Sequence, residues 1–187
     1  WRTFCENFHL FRGTPSGLWL RHELQLFGID QTPNGENADS LYELISARLA
    51  EPEFRPRRLF ERFNIEILAT TDAATGTLPD HHAIRESGWQ GNIIPTFRPD
   101  AAVNLDSPGW RAEIDVLSAV SGVNIADYGS FIRALEKRRE YFRSMGAKAA
   151  DHAALSADTG ELSPVEADTI FQRALRGGSE PGDAAQF

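Results

Sequence analysis

Cysteine is almost absent from these 187 residues: Cys5 is the single one. One thiol cannot close an intrachain disulfide, and without paired CxxC spacings there is no cysteine-based zinc site, so a reducing, cytoplasmic setting is the expectation. Long apolar runs are also missing. None approaches the roughly 20 residues of a membrane-spanning helix, and no signal-peptide pattern occurs, so no membrane role is expected. An excess of positive charge is also missing: 19 Lys and Arg stand against 27 Asp and Glu, a formal net charge of −8. The basic cluster Arg55, Arg57, Arg58 and Arg62 is short and broken by Pro56. It reads as a solvated face, and nucleic acid is not an expected partner. No GxGxxG or GxxxxGK[ST] stretch follows a candidate strand, which counts against nucleotide phosphates.

What is present is a chain with 41% hydrophobic residues, enough for one substantial core. It opens at Trp1 rather than at a methionine, and its sole methionine is Met145. Residues 183–187 look like the start of another apolar-periodic segment. Both ends read as cut, so an internal piece of a longer protein is expected.

The first third is helical in character. Gly13, Pro15 and Gly17 divide an aromatic-rich beginning into two short pieces, the second predicted over 18–27. It carries His22 beside Trp19, a histidine with possible chemistry but in a pattern commoner for a core or interface residue. Ser40 and Glu43 predict a capping box for a helix with the stripe Leu41, Leu44, Ile45 and Leu49, closed by Pro52. A short helix over 57–63 follows.

From Asn64 strands and helices alternate. Residues 65–71 predict a strand ending at Asp72, and Thr77, Pro79 and Asp80 open a helix that Gly88 ends. Residues 93–97 predict a second strand, with Arg98 delivered at its end before Pro99 turns the chain. Ser107 and Pro108 open a helix with the stripe Trp110, Ile114, Leu117 and Val120. A helix over 129–145 carries Phe131, Ile132, Leu135, Phe142 and Met145 on one side, and Glu136, Arg139, Glu140 and Arg143 at spacings where opposite charges can meet. A short strand over 147–150 leads to Asp151 and His152, and Ser163 to Glu166 cap a last helix with Val165, Ile170, Phe171, Ala174 and Leu175.

Three successive strand–helix units argue for a parallel sheet, with Asp72, Arg98 and Asp151 on one rim. That is the active face of a β/α barrel or of a doubly wound sheet. A strand-end arginine is a planar fork that matches a carboxylate or phosphate. A surface pair with Asp100, or a helix-capping contact, is the plainer role for Arg98. Asp72, with Thr71, suits bracing of the strand-to-helix turn.

The stretch from Asn64 to Asp72, then Ile94-Pro95-Thr96-Phe97-Arg98-Pro99-Asp100, then Lys137-Arg138-Arg139-Glu140-Tyr141-Phe142 with Gly146 to His152, together resemble uronate isomerase, also called glucuronate isomerase. Residues 18–28 and Glu51-Pro52-Glu53-Phe54 are similar to it too. The resemblance implies an amidohydrolase-superfamily fold: an α/β, partial (β/α)8 TIM-type barrel of about three βα units over 64–187, preceded by an inserted helical region over 1–63. It implies interconversion of D-glucuronate with D-fructuronate and of D-galacturonate with D-tagaturonate. The protein is expected to be a cytoplasmic homo-oligomer that acts on a small uronic acid. The arginine of the family's Arg-Pro-Asp motif binds the substrate and falls on Arg98. The aspartate of a Ser-Asp-His-like motif lines the site as a catalytic candidate and falls on Asp151, with Ala150 where serine is common.

The family also binds a divalent metal, usually zinc, through an HxH pair and a late aspartate. This chain has no HxH: its histidines are His9, His22, His81, His82 and His152. His81 and His82 cannot act as such a pair, because helical neighbours point about 100° apart. The metal ligands are therefore expected outside this segment, and the segment alone is expected to be inactive and prone to aggregate through open sheet edges. Two other readings stand beside this one: a related metal-dependent hydrolase of the same superfamily, and a non-catalytic sugar-acid-binding fragment.

Overall fold

The computed structural model describes residues 1–153 and 160–187. They form two compact units, Trp1–Ile65 and Glu66–Phe187.

The first unit is helical: α1 (Arg2–Glu6), a 3₁₀ turn (Phe8–Phe11), α2 (Pro15–Leu26), α3 (Ala38–Leu49), a second 3₁₀ turn (Pro52–Phe54) and α4 (Pro56–Arg62). Phe8, Leu24, Ile29 and Leu41 make its core, with Phe4, Phe11, Leu20, Phe27 and Ile45 packed around them. Two expectations are corrected here. The division into two pieces is present, with Gly13 at φ 77° between them, but the second starts at Pro15 and not at 18: Thr14 caps α2 by accepting from the Gly17 amide at 3.0 Å, and Pro15 takes the first helical position, where a missing N–H costs nothing. Glycine is required at 17 because a Cβ there would lie 2.1 Å from the Phe11 carbonyl oxygen. The Ser40–Glu43 capping box is not made either. Asn37 is the N-cap of α3, and Ser40 Oγ instead donates back to the Asn37 carbonyl at 3.0 Å. Of the predicted stripe, Leu41 is buried while Leu44 and Leu49 are exposed.

The second unit contains β1 (Leu68–Ala73), α5 (Pro79–Glu86), β2 (Ile93–Arg98), α6 (Asp100–Val103), α7 (Trp110–Ser121), α8 (Tyr128–Ser144), α9 (Pro164–Leu175) and α10 (Asp183–Gln186). The α/β class with parallel strands is as expected. β1 and β2 pair in parallel, from Leu68 beside Ile93 to Ala73 beside Arg98. β1 starts three residues later than predicted, so Asp72 lies within the strand instead of beyond its end.

The predicted third strand over 147–150 contracts to one parallel bridge between Phe97 and Ala150. Its physical cause is the end of α8. Gly146 turns the chain at φ 90°, and the Ala147 amide still donates to the Phe142 carbonyl at 3.0 Å, so the stretch is tied to the helix until it reaches β2. Beyond that turn, the Phe97 amide donates to Ala149 O at 3.2 Å and the Asp151 amide to Phe97 O at 3.1 Å.

Helix starts differ in detail. α7 begins at Gly109 in the left-handed region, two residues later than the predicted Ser107 cap. α8 carries a reciprocal capping box between Asp127 and Ser130, and α9 carries the one between Ser163 and Glu166. The charged side chains Glu136, Arg139, Glu140 and Arg143 form no ion pair within 4 Å among the described residues.

Period 3.6 explains the helical core. Trp110, Ile114 and Leu117 of α7, Phe131 and Ala134 of α8, and Ile170, Phe171 and Ala174 of α9 are all buried in one cluster. Val165, expected on that stripe, is 75% exposed. A second cluster joins helix to strand: the Phe97 ring meets the Phe142 ring edge-on, 5.2 Å between centroids, with Ala74, Leu78, Met145 and Ala147 around them. Fully burying a phenylalanine side chain contributes about 1.5–3 kcal/mol, so this cluster anchors the strand one residue before Arg98. Strand alternation puts Pro95 and Phe97 on the buried face, whereas Thr71 and Ala73 of β1 are exposed on the other.

Candidate functional site

Alternation along the strands decides which side chains meet. In β2 the buried Phe97 points to the helices, so its neighbour Arg98 points to the opposite, open face. In β1 the same parity puts Thr71 on that open face and Asp72 on the helix side. The bridge of Ala150 to Phe97 sets Asp151 beside Arg98.

The result is a three-residue cluster at the C-terminal end of β2. Arg98 Nε donates to Asp151 Oδ1 at 3.0 Å and Nη2 donates to Oδ2 at 2.7 Å, a bidentate ion pair. Thr71 Oγ1 donates to Asp151 Oδ2 at 3.2 Å. Arg98 Nε also lies 3.4 Å from Asp100 Oδ2, and His152 Nδ1 lies 3.4 Å from Asp100 Oδ1. The Ala153 amide donates to Asp100 Oδ2 at 3.0 Å. Arg98 and Asp151 are each 37% exposed, so the pair is half open to solvent.

The electrostatics follow from these contacts. The hydrogen bond from Arg98 is the largest influence on Asp151 and holds its carboxyl below the usual aspartate range. Partial burial opposes it, and the Arg98 charge, the Thr71 hydroxyl and His152 act with it. Arg98 is correspondingly more firmly protonated. Asp151 is thus an ionised acceptor at neutral pH, and Arg98 is a fixed cation whose Nε and Nη2 already face that carboxylate.

The sequence-predicted residues fare differently. Arg98 and Asp151 are brought together. The plainer Arg98–Asp100 pair is present as well, at longer range. Asp72 stands apart on the helix side: Thr70 Oγ1 donates to Asp72 Oδ2 at 2.7 Å and lies 2.9 Å from Nε2 of the buried His81. Because the hydroxyl proton goes to Asp72, His81 Nε2 is the donor to Thr70. Asp72 therefore braces β1 against α5, with Thr70 in place of the expected Thr71. His22 is exposed in the helical unit, on a groove of about 450 Å³ shared with Trp19, Glu23, Gln25, Leu26 and Phe63. It is not a core residue.

Two residues escaped the sequence reading. Thr71 ends the predicted strand, paired with Asp72 in bracing the turn, but period-two alternation puts the two on opposite faces. Arg138 is 6% exposed and reaches the turn after β1. Its signal was its place seven residues after Phe131 and four before Phe142, on the apolar stripe of α8. Among the described residues, no group of three His, Cys, Asp or Glu side chains could hold a metal ion. The residues present therefore do not fit the divalent metal that the resemblance implies. Nor is any helix among them long and apolar enough to cross a membrane.

Known proteins resemble this chain over its whole length. The sequence model of the family described as glucuronate isomerase matches residues 1–187. Uronate isomerase of Nostoc punctiforme is 50% identical across all of this chain, which covers 40% of that relative, and uronate isomerase of Rhizobium meliloti is 42% identical with the same coverage. The crystal structure of glucuronate isomerase from Caulobacter crescentus superposes with a TM-score of 0.90 at 41% identity, over 100% of this chain and 39% of that one. Uronate isomerase from Thermotoga maritima gives 0.85 at 29% identity, over 100% and 42%. The chain thus spans about 40% of the length of the curated relatives it matches. With that match running from its first residue to its last, the chain belongs to the glucuronate isomerase family.

Proposed function

We propose that the full-length protein containing this chain is a uronate isomerase, interconverting D-glucuronate with D-fructuronate and D-galacturonate with D-tagaturonate. The observation that carries this reading is the Arg98–Asp151–Thr71 cluster at the end of a parallel strand, where α/β folds present groups to ligands. Such a sugar needs a cation for its C6 carboxylate and a group that moves a proton between C2 and C1. Arg98 supplies the cation. Asp151 holds the guanidinium in plane and, being ionised, accepts a hydrogen bond or proton from a sugar hydroxyl. Arg98 with Asp100 and Asp151 carries a net charge of about −1 by simple charge counting. An anionic substrate therefore needs further positive charge from elsewhere in the protein. In this reading a divalent metal, zinc, is held by residues outside the described ones.

The same proposal makes residues 64–187 part of a (β/α)8 barrel and residues 1–63 an inserted helical region. Its support is the parallel register, the helices on one face of β1 and β2, and the open opposite face bearing Thr71 and Arg98. Parallel sheets are ordinarily covered on both faces. The protein is read as a cytoplasmic homo-oligomer, and the 187-residue chain alone as inactive.

The test is to incubate the full-length protein with D-glucuronate and with D-galacturonate and follow the products by NMR. Appearance of the matching ketose is expected. Hydrolysis of lactones or amides with no ketose formed would overturn the assignment.

A further inference from the structure

The turn that follows β1 is held by side chains of α8. Arg138 Nε donates to Ala74 O at 2.9 Å and Nη2 donates to Gly76 O at 2.8 Å, with Val120 O at 3.5 Å from Nη1. One helical turn on, Tyr141 Oη donates to Thr77 O at 2.7 Å, and the Arg138 guanidinium sits 4.3 Å from the Tyr141 ring centre. Three carbonyls of one short turn are therefore taken by two side chains spaced i, i+3. The turn ends at Leu78, buried and left-handed at φ 55°, a conformation that costs a non-glycine residue about 1–2 kcal/mol.

The held turn leads directly to Arg98. The Ala74 amide donates to the Arg98 carbonyl at 2.9 Å, so one residue has its C=O fixed by Arg138 and its N–H fixed on the backbone of Arg98. A buried guanidinium with carbonyl partners, and no carboxylate within 4 Å among the described residues, is an expensive way to fill a core position. An apolar side chain of that length would fill it with less desolvation. What it could not do is set the path of the turn.

We propose that Arg138 is a positioning residue for Arg98, acting through Ala74, with Tyr141 as its partner in holding the turn. As a contribution to turnover this rests on the isomerase reading above. A displacement of about 1 Å in a substrate-holding group costs roughly a hundredfold in rate. Arg138→Met in the full-length enzyme is therefore expected to lower kcat/KM for D-glucuronate about a hundredfold while circular dichroism shows it folded. In an Arg98→Met background the same change is expected to cost less than about threefold, because the two act as one unit. Wild-type kcat/KM in folded Arg138→Met, or losses that simply multiply in the double variant, would overturn the proposal.

Tyr141→Phe, which removes only an oxygen, serves if Arg138→Met does not fold. About a fivefold loss is expected, again absent beside Arg98→Met, and no loss overturns the proposal. Hydrogen exchange over residues 70–78 reads the positioning without any activity. Either variant is expected to speed it at least about tenfold, and unchanged exchange refutes the held turn. Faster exchange in a protein whose wild type makes no ketose would sink the isomerase reading alone.

Discussion

Replacing Phe142 by alanine tests how the strand that bears Arg98 is anchored. Phe142 is fully buried, and its ring meets Phe97 edge-on at 5.2 Å within the cluster that includes Ala74, Leu78, Met145 and Ala147. Large-to-small changes of this kind lose both the transfer free energy and the packing around the cavity, together about 3–5 kcal/mol for Phe→Ala. Alanine is a better helix former than phenylalanine by roughly 0.5 kcal/mol, a small offset. The net loss of roughly 3–4 kcal/mol is large beside a typical stability of about 5–15 kcal/mol. With a urea slope of about 1.5–2 kcal/mol/M for the unit that holds β2, its unfolding midpoint in the full-length protein, followed by far-UV circular dichroism, falls by about 2 M. Phe142→Leu, which keeps most of the volume, is expected to cost less than about 1.5 kcal/mol. A midpoint shift under about 0.5 M for the alanine variant, at unchanged slope, would mean that β2 is not held by this contact.

Gly17→Ala separates two opposing effects: helix propensity favours alanine by about 1 kcal/mol, while the new Cβ would sit 2.1 Å from the Phe11 carbonyl oxygen. The clash wins, so Tm falls, and a rise in Tm would contradict the packing of α2 on the preceding turn. Asp183 is buried and accepts Arg173 Nε at 3.1 Å and Nη2 at 2.7 Å, together with the Glu180 amide at 2.8 Å. Asp183→Ala is expected to cost about 1–3 kcal/mol in urea unfolding, and an unchanged midpoint would show the pair to be solvated. Acid sensitivity follows from Asp127 and Glu166, whose folded carboxyls are held below their ordinary values first by side-chain hydrogen bonds with Ser130 and Ser163. A depressed folded pKa stabilises above the unfolded value and loses that stability as pH falls through the folded one, so Tm should drop from about pH 4 downward. Asp127→Asn should flatten that slope, and an identical pH profile would remove the cap from the account.

Much of the fold was legible because periodicity is a local property. Trp110, Ile114 and Leu117 could be assigned to a buried stripe from spacing alone, as could Phe131 and Phe142, and Arg98 stands at the end of its strand as Pro99 foretold. Tertiary contacts decided the rest. Gly17 looks like a helix breaker until the Phe11 carbonyl against it is known. Ser40 and Glu43 have capping-box spacing, but the Asn34–Asn37 turn starts the helix earlier. In the site, strand parity separates Thr71 from Asp72, but the register that sets Asp72 beside Phe97 is what puts Thr71 on the face of Arg98. That Asp151 fills the fork of Arg98 depends on a bridge between residues far apart in the chain, which no local pattern shows. Arg138 enters the sequence reading only within the Lys137–Phe142 stretch that resembles the family, and its coincidence with the apolar stripe of α8 is what marks it as buried.

In the proposed isomerisation Arg98 holds the carboxylate of the uronic acid, and ionised Asp151 keeps the guanidinium in place and accepts from a sugar hydroxyl. The most direct measurement is steady-state kinetics of the full-length enzyme on D-glucuronate, comparing wild type with Arg98→Met and Asp151→Asn. Arg98→Met is expected to raise KM sharply or nearly abolish turnover, and Asp151→Asn to lower mainly kcat. Unchanged kinetics in a folded Arg98→Met variant would contradict it and take Arg98 out of the site, and an Asp151→Asn loss confined to thermal stability would make that carboxylate structural.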